Sequence, residues 1–286
     1  MRNIAVFLDG TLNRSEGPCP TNVAKLFMWA SSSTSKGDPQ IKFYLPGVGV
    51  SQRLDKPSGL AGVGFQAKVA LAYQFIGANF EPDSRIFVFG FSRGAYSARH
   101  LAGLIARVGI LRKPDLGLAR EAYDWYTYTV TSRSPRRPRP NAYPHTVEFL
   151  GLWDTVAAAR AFVFGQEKEM HDPDLEAQIL HVRHALARDE RRYAYYPETY
   201  RGAGDHYQAK WFPGYHCDVG GGYAEERSLI SNDALRWMVK EAVQFGFAVP
   251  PDFPWQCDST GPGTPHECFL TRFVNRPRTH LFRAGL

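Results

Sequence analysis

Gly90-Phe91-Ser92-Arg93-Gly94 is the most informative stretch of this sequence. An apolar run at residues 86–89 precedes it, and residues 95–105 follow it with the apolar spacing of a helix. A serine between two glycines at a strand-to-helix turn is the pattern of a nucleophile elbow, because the turn is too tight for side chains at the flanking positions. The pattern predicts that the Ser92 hydroxyl is presented at the carboxyl end of a strand. The alternative is a tight turn in which Ser92 caps the helix.

Strand and helix patterns alternate along the 286-residue chain. Short, mainly apolar runs predict strands at residues 4–8, 41–46, 86–89 and 147–153, the first of them buried. Apolar spacing predicts helices over residues 64–79, 95–105, 117–130, 175–188 and 231–246. This alternation predicts an α/β fold with a mostly parallel sheet that is covered by helices on both faces. The length suits a single domain over residues 1–286.

Three candidate catalytic side chains are Ser92, Asp154 and His216. We expect them at the carboxyl ends of strands, where active sites lie in open α/β sheets. Their order along the chain is the order found in α/β-hydrolases. In that chemistry His216 would take the proton of the Ser92 hydroxyl and later protonate the leaving group. Asp154 would fix the imidazole tautomer and stabilise the imidazolium.

The acid of this set has a rival within the sequence. Asp154 could instead cap the turn at the end of its strand, and Asp218 competes with it as the carboxylate that orients His216. Asp218 lies only two residues from His216, so it would struggle to reach the ring while the ring faces Ser92. We therefore expect Asp218 to organise the glycine-rich turn at residues 220–222.

An oxyanion hole needs two backbone donors. One should be the N–H group of Arg93, directly after the proposed nucleophile. The second normally comes from a loop after an earlier strand, and Asp9-Gly10-Thr11 is the best candidate because glycine allows close approach. We expect the N–H group of Gly10 or Thr11 there, with Asp9 organising the loop.

A metal site would have to combine Asp9, Asp154, His216 and Asp218. Their spacing matches no standard ligand signature. We therefore expect no metal, and no cofactor either, because the triad chemistry needs none. A metal-dependent phosphoesterase built on these aspartates remains a third hypothesis.

Several motifs occur in order between about residue 4 and residue 245. They are Phe7-Leu8-Asp9-Gly10-Thr11, Pro46-Gly47-Val48-Gly49, Gly90-Phe91-Ser92-Arg93-Gly94, Gly151-Leu152-Trp153-Asp154-Thr155, His184-Ala185-Leu186-Ala187-Arg188-Asp189-Glu190-Arg191-Arg192 and His216-Cys217-Asp218-Val219-Gly220. Together they resemble the catalytic domain of the type VI secretion lipase effectors. The resemblance implies an α/β-hydrolase fold in which Ser92, Asp154 and His216 serve as nucleophile, acid and base. It also implies ester substrates, which are phospholipids for the characterised effectors.

The leading hypothesis is a serine hydrolase that cleaves carboxylic esters, such as phospholipid acyl chains, through an acyl-enzyme. Residues 111–145 would form a small inserted cap or lid. Its tyrosine and tryptophan side chains either face the acyl chain or pack against the core. A non-catalytic interaction module on the same scaffold is the main alternative, because a fold alone does not prove activity.

The formal net charge is +6, and much of the excess lies in an arginine–proline run at residues 132–140. Such a run cannot be a regular helix or a central strand, so it predicts a solvated loop. Peripheral contact with an anionic membrane is the sharper alternative. No nucleic-acid motif is present, so we expect no nucleic-acid partner. The oligomeric state stays open.

The cysteines are predicted to be free thiols, with a Cys257–Cys268 bridge as an open alternative for two of them; they are Cys19, Cys217, Cys257 and Cys268. No apolar stretch reaches transmembrane length, and the apolar part of the N-terminus is too short for a signal peptide. The predicted location is therefore cytoplasmic in the producing cell. Export by a secretion system that needs no signal peptide stays open.

Overall fold

The structure, a computed structural model, describes residues 1–10, 13, 15, 18–47, 60–132, 141–156, 178–192, 195–199 and 206–253, with the backbone alone at 60–64, 131–132 and 225. The strands are β1 (Arg2–Leu8), β2 (Gln40–Leu45), β3 (Ser84–Phe91), β4 (Ile110–Leu111), β5 (Ala142–Tyr143), β6 (Phe149–Trp153), β7 (His181–Ala187) and β8 (Tyr207–Phe212). The helices are α1 (Asn22–Trp29), α2 (Leu60–Asn79), α3 (Arg93–Val108), α4 (Ala119–Ser132), α5 (His216–Gly220) and α6 (Leu229–Gln244).

Six strands form one parallel sheet in the order β2-β1-β3-β6-β7-β8. The short strands β4 and β5 form a separate antiparallel pair. Helices cover the two faces of the large sheet, as the burial of β1 shows. Ile4 and Val6 pack with α2, α3 and α4 on one face, and Ala5 and Phe7 pack with α1 and α6 on the other. The α/β class with a mostly parallel sheet covered on both faces, which the alternating pattern predicts, is therefore confirmed.

The order of the strands reverses next to β1. From β1 the chain runs to β2 on one side and then returns to β3 on the other side of β1. In open α/β sheets ligands bind outside the carboxyl ends of the strands at such a switch point. The switch point lies between β1 and β3, whose carboxyl ends are followed by Asp9 and Ser92. The topology therefore predicts a ligand site at the loops that contain these two residues.

The helix predicted over residues 175–188 is wrong for the described part of that stretch, because His181–Ala187 is strand β7. β7 lies between β6 and β8, and its residues from Val182 onward are buried. Packing within the sheet therefore overrides the helical propensity of its alanines and leucine. Helix α1 has no counterpart among the predicted elements.

The predicted insertion over residues 111–145 contains a 3-10 turn at Lys113–Leu118, helix α4 and strand β5. Tyr123 and Tyr126 of α4 are buried among core residues of α2 and α3. These two rings therefore pack against the core, which is one of the two roles that the sequence left open. Residues 133–140 of the arginine–proline run lie outside the described residues.

None of the helices in the described ranges is long and apolar enough to cross a bilayer. Cys19 is exposed and Cys217 is half-buried, and both are free thiols. Cys257 and Cys268 lie outside the described residues, and so does the bridge considered between them.

Substitution of Gly94 tests how closely α3 packs on β1. A methyl group at Gly94 would overlap the carbonyl oxygen of Leu8 and lie 2.6 Å from that of Asp9, and backbone atoms cannot move aside as a flexible side chain can. Gly94→Ala should lower the free energy of unfolding by about 1–3 kcal/mol or more, as overpacked sites do. Urea unfolding measures it. Gly117→Ala is the matched control, because nothing lies within 4 Å of a methyl group there. Equal stability of the two variants would contradict the packing described.

Candidate active site

Ser92 occupies a strained turn between β3 and α3. Its φ of 57° and ψ of −124° lie where L-residues are rare, as expected for a nucleophile elbow. The backbone N–H group of Ser92 donates to the carbonyl oxygen of Trp153 at 3.0 Å, and the N–H group of Tyr96 donates to the Ser92 carbonyl oxygen at 3.2 Å. The Ser92 side chain makes no capping hydrogen bond to α3, so the alternative role as a helix cap is not seen.

The two glycines of the elbow are required by close approach. A methyl group at Gly90 would lie 2.6 Å from the Cα atom of Ala95, and one at Gly94 would overlap β1. Any side chain at either position would push the first turn of α3 away from the sheet. The predicted reason for glycine on both sides of Ser92 therefore agrees with the geometry.

Asp154 and His216 meet in the protein interior. The Nδ1 atom of His216 lies 2.7 Å from Oδ2 of Asp154, and the side chains of His216 and Asp154 are 4% and 0% exposed, respectively. The other carboxylate oxygen of Asp154 accepts a hydrogen bond from the N–H group of Ala187 at 3.0 Å. Asp154 also has a positive φ of 37°, so the end of β6 carries a second strained residue. The Asp154 carboxylate thus binds the ring of His216 rather than capping its own turn alone.

This contact leaves the other imidazole nitrogen available for chemistry. With an ionised carboxylate at Nδ1, the neutral ring carries its proton there, and Nε2 is the basic nitrogen. The ring also contacts two aromatic side chains, with centroid distances of 4.6 Å to Phe91 and 4.8 Å to Tyr195. Phe91 is the residue before Ser92, and it is paired in register with Trp153, the residue before Asp154. Ser92 and Asp154 therefore follow neighbouring strands at the carboxyl end of the sheet, and His216 lies at the same end through its contacts with Asp154 and Phe91.

Asp218 is buried two residues after His216, and its carboxylate binds the local backbone. Its Oδ2 atom accepts a hydrogen bond from the N–H group of Tyr215 at 2.8 Å. Its own N–H group donates to the Tyr215 carbonyl oxygen at 2.9 Å. Asp218 therefore organises the turn that starts α5, next to Gly214 rather than at the predicted glycine run 220–222.

Asp9 organises the loop after β1 with a fully engaged carboxylate. It accepts hydrogen bonds from the hydroxyls of Tyr44 at 2.5 Å and Thr21 at 2.7 Å, and from the N–H group of Gly10 at 2.7 Å. Burial raises the pKa of Asp9 to about 6, although these hydrogen bonds act in the opposite direction.

Gly10 lies beside the proposed nucleophile. A methyl group on Gly10 would be 3.2 Å from the Cβ atom of Ser92. Its N–H group, one of the two predicted loop donors, points to the Asp9 carboxylate in this structure. Thr11, the other predicted donor, lies outside the described residues. The structure thus brings the loop to the site and shows the Gly10 donor bound to Asp9.

Two site residues, His184 and Glu190, were not predicted from the sequence. The Nε2 atom of His184 accepts a hydrogen bond from the N–H group of Thr155 at 3.3 Å, and burial lowers the pKa of His184 to about 3, so the ring is neutral. The buried carboxylate of Glu190 accepts a hydrogen bond from the N–H group of His216 at 3.2 Å. His184 lies inside strand β7 and Glu190 follows the end of that strand. A correct strand prediction could have identified both residues, but a helix was predicted over residues 175–188.

No group of three or more histidine, cysteine, aspartate or glutamate side chains is arranged to hold a metal ion in the part of the chain that the structure describes. Of the candidate ligands, Asp9, Asp154 and Asp218 each accept hydrogen bonds from protein donors instead.

Three known proteins are similar to this chain. An uncharacterized protein of Saccharomyces cerevisiae is 30% identical over 225 residues, which are 67% of this chain and 31% of that protein. A solved structure of an uncharacterized protein from Pseudomonas aeruginosa has a TM-score of 0.50 at 19% identity, over 87% of this chain and 46% of that one. The structure of the Tle1 effector bound to the VgrG spike has a TM-score of 0.46 at 22% identity, over 78% of this chain and 51% of that one. The chain therefore spans between about a third and a half of the length of these relatives.

The family comparison covers most of the sequence. The family described as "T6SS, Phospholipase effector Tle1-like, catalytic domain" matches residues 2–241. The match includes Ser92, Asp154 and His216 together with every strand of the sheet. The chain belongs to the family of Tle1-like phospholipase effector catalytic domains of the type VI secretion system.

Proposed function

We propose that the chain is a serine hydrolase that cleaves carboxylic esters with Ser92 as nucleophile, His216 as base and Asp154 as acid. The observation that carries this proposal is the buried hydrogen bond between Asp154 and His216, beside a serine on a strained turn. Membership of a phospholipase effector family supports the hydrolase class. The sequence order and the sheet topology support the same assignment.

The first step would form an acyl-enzyme. Nε2 of His216 takes the proton of the Ser92 hydroxyl while Oγ attacks the ester carbonyl carbon, and the tetrahedral intermediate then releases the alcohol, which His216 protonates. In the second step His216 removes a proton from water while the water oxygen attacks the acyl carbon. The second tetrahedral intermediate then breaks its bond to Oγ of Ser92, the carboxylic acid is released, and His216 returns the proton to Oγ. Asp154 keeps Nδ1 protonated and stabilises the imidazolium in both steps.

The negative oxygen of each intermediate needs donors. We assign the first to the N–H group of Arg93, which is the first residue of α3 and has no partner within the helix. We assign the second to the loop after β1, which lies beside Ser92. Because Asp9 binds the Gly10 N–H group, the loop supplies this donor through Thr11 or after Gly10 turns away from Asp9.

The substrate class proposed is a phospholipid acyl ester, which follows from the family. We further propose that the insertion over residues 111–145 acts as a cap and that the arginine–proline run contacts anionic headgroups. Any acyl-contacting surface of this cap excludes Tyr123 and Tyr126, whose rings are buried in the core. Export without a signal peptide is proposed from the family alone.

Substitutions at the three residues test the reaction. Ser92→Ala and His216→Ala should each lower kcat for a short p-nitrophenyl ester by about 10⁴-fold or more, because either change removes the nucleophile or its activation. Asp154→Asn should lower kcat to a similar extent, because the amide favours the wrong tautomer. Steady-state kinetics on purified protein measures all three.

Asp218→Asn is the matched control, since Asp218 is a buried carboxylate close in sequence to His216 that binds the backbone of Tyr215. It should keep kcat within about tenfold of the native value, since it lowers stability rather than removing a reacting group. An inactive Asp218→Asn protein beside an active Asp154→Asn protein would show that the acid is assigned wrongly. Full activity of Ser92→Ala or His216→Ala would show that the reaction uses other residues, whereas a folded native protein that hydrolyses no ester would favour the non-catalytic interaction module.

The raised pKa of Asp9 predicts a pH-dependent cost of keeping it buried. Because its pKa is about 6 in the folded protein and 3.8 for an unperturbed aspartate, its contribution to stability is fully present below about pH 3.8 and is lost as the pH rises to about 6. Asp9→Asn cannot ionise. Its stability relative to the native protein should therefore rise by up to about 3 kcal/mol between about pH 4 and about pH 7, measured by urea unfolding. A stability difference between Asp9→Asn and the native protein that stays constant from about pH 4 to about pH 7 would contradict the raised pKa of Asp9.

A further inference from the structure

We propose that the ion pair of Glu190 and Arg192 is a positioning device for His216, holding the base by its backbone and by its ring. The inference rests on the role of His216 in the proposed function. It concerns the motif at residues 184–192, to which the sequence alone assigns no role.

The first contact runs through the backbone of His216. The side chain of Glu190 is 0% exposed, and its Oε2 atom accepts hydrogen bonds from the His216 N–H group at 3.2 Å and from Nη2 of Arg192 at 2.7 Å. Its Oε1 atom accepts two more from Arg192, from the backbone N–H group at 3.0 Å and from Nε at 2.9 Å. Burial acts to raise the pKa of Glu190, but the Arg192 hydrogen bonds outweigh it and hold the pKa below its usual value. The carboxylate is therefore ionised and fixed.

The second contact runs through the imidazole ring. The guanidinium carbon of Arg192 lies 3.7 Å from the centroid of the Tyr195 ring, which is a cation–π distance. The Tyr195 ring in turn meets the His216 ring nearly edge-on, with centroids 4.8 Å apart and planes at 69°. One ion pair is thus connected both to the main chain of His216 and to its side chain.

The location of His216 explains why such a device matters. His216 is the first residue of α5, a helix of only five residues, and it follows a turn that includes Gly214 at a φ of 96°. A short helix after a glycine turn fixes its first side chain poorly by itself. A displacement of about 1 Å at a reacting group can cost on the order of 100-fold in rate. Contacts from Glu190 and Tyr195 restrict this displacement from two directions.

A partly buried ion pair between Arg183 and Glu241 serves as a control. Nε of Arg183 lies 2.6 Å from Oε2 of Glu241, with the two side chains 5% and 17% exposed. Arg183 is near the start of β7, whereas Glu190 and Arg192 follow its end. Loss of this pair should therefore affect stability without affecting the orientation of His216.

Glu190→Gln and Glu241→Gln form the central comparison. Glu190→Gln should lower kcat for a p-nitrophenyl ester by about 10- to 100-fold with KM within about twofold, because it changes the reacting geometry and not ester binding. It should also shift or broaden the far-downfield proton NMR signal of the Nδ1–H group of His216. Glu241→Gln should keep kcat and the signal, although urea unfolding shows a loss of stability.

Substitutions of Tyr195 test the contact with the imidazole ring of His216. They also test the positioning role if Glu190→Gln does not fold. Tyr195→Leu removes the ring that touches both Arg192 and His216, so it should lower kcat and shift the same NMR signal. Tyr195→Phe keeps the ring and should recover most of the kcat that Tyr195→Leu loses.

The outcomes separate this inference from the proposed function. Native kcat and an unshifted signal in Glu190→Gln would overturn the positioning role, and so would equal losses of kcat in Glu190→Gln and Glu241→Gln. In either case an inactive His216→Ala protein would still support the proposed ester hydrolysis. If Glu190→Gln does not fold, equal kcat in Tyr195→Leu and Tyr195→Phe would overturn it. A fully active His216→Ala protein would remove the proposed function itself.

Discussion

The hydrogen bond between Asp154 and His216 is the interaction on which the rest of the site depends. Both side chains are almost fully buried, so the carboxylate loses most of its hydration. A buried charge is tolerated only with partners, and breaking such a pair typically costs about 3–5 kcal/mol. The N–H group of Ala187 and the ring of His216 are two of these partners. Ser92, Asp154 and Ala187 lie at the carboxyl ends of β3, β6 and β7. Three neighbouring strands of the sheet therefore contribute to one small polar cluster.

The cluster is built where strands end and the backbone is strained. Ser92 and Asp154 are the non-glycine residues with a positive φ in the described ranges, and they follow two neighbouring strands of the sheet. Strain of this kind persists only when the surrounding structure fixes it. At Ser92 the fixing elements are the close approach of α3 to β1 and the hydrogen bond to Trp153. At Asp154 the fixing contacts are two hydrogen bonds to β7. The Asp154 N–H group donates to the carbonyl oxygen of Ala185, and the Asp154 carboxylate accepts from the N–H group of Ala187.

The sequence predicts the parts of this site that have local signals. Ser92 lies between glycines after an apolar run, and Asp154 follows a second apolar run directly. The pairing of Asp154 rather than Asp218 with His216 follows from reach, because a carboxylate two residues away cannot easily meet the ring. What the sequence could not predict comes from packing between distant segments. β7 has the composition of a helix and becomes a strand only because β6 and β8 bury it. The roles of His184 and Glu190 were hidden for that reason, and the direction of the Gly10 N–H group depends on a carboxylate whose other partners are Thr21 and Tyr44.

Reaction of the folded protein with a fluorophosphonate probe, followed by mapping of the adduct by mass spectrometry, tests most directly that Ser92 is an activated nucleophile. The probe reacts with a serine whose proton is removed by a neighbouring base, so it reports activation without knowledge of the substrate. We expect a single adduct on Ser92, no adduct there in Ser92→Ala, and much slower labelling in His216→Ala. An unlabelled Ser92 in a folded sample, or an adduct on a different residue, would contradict the account.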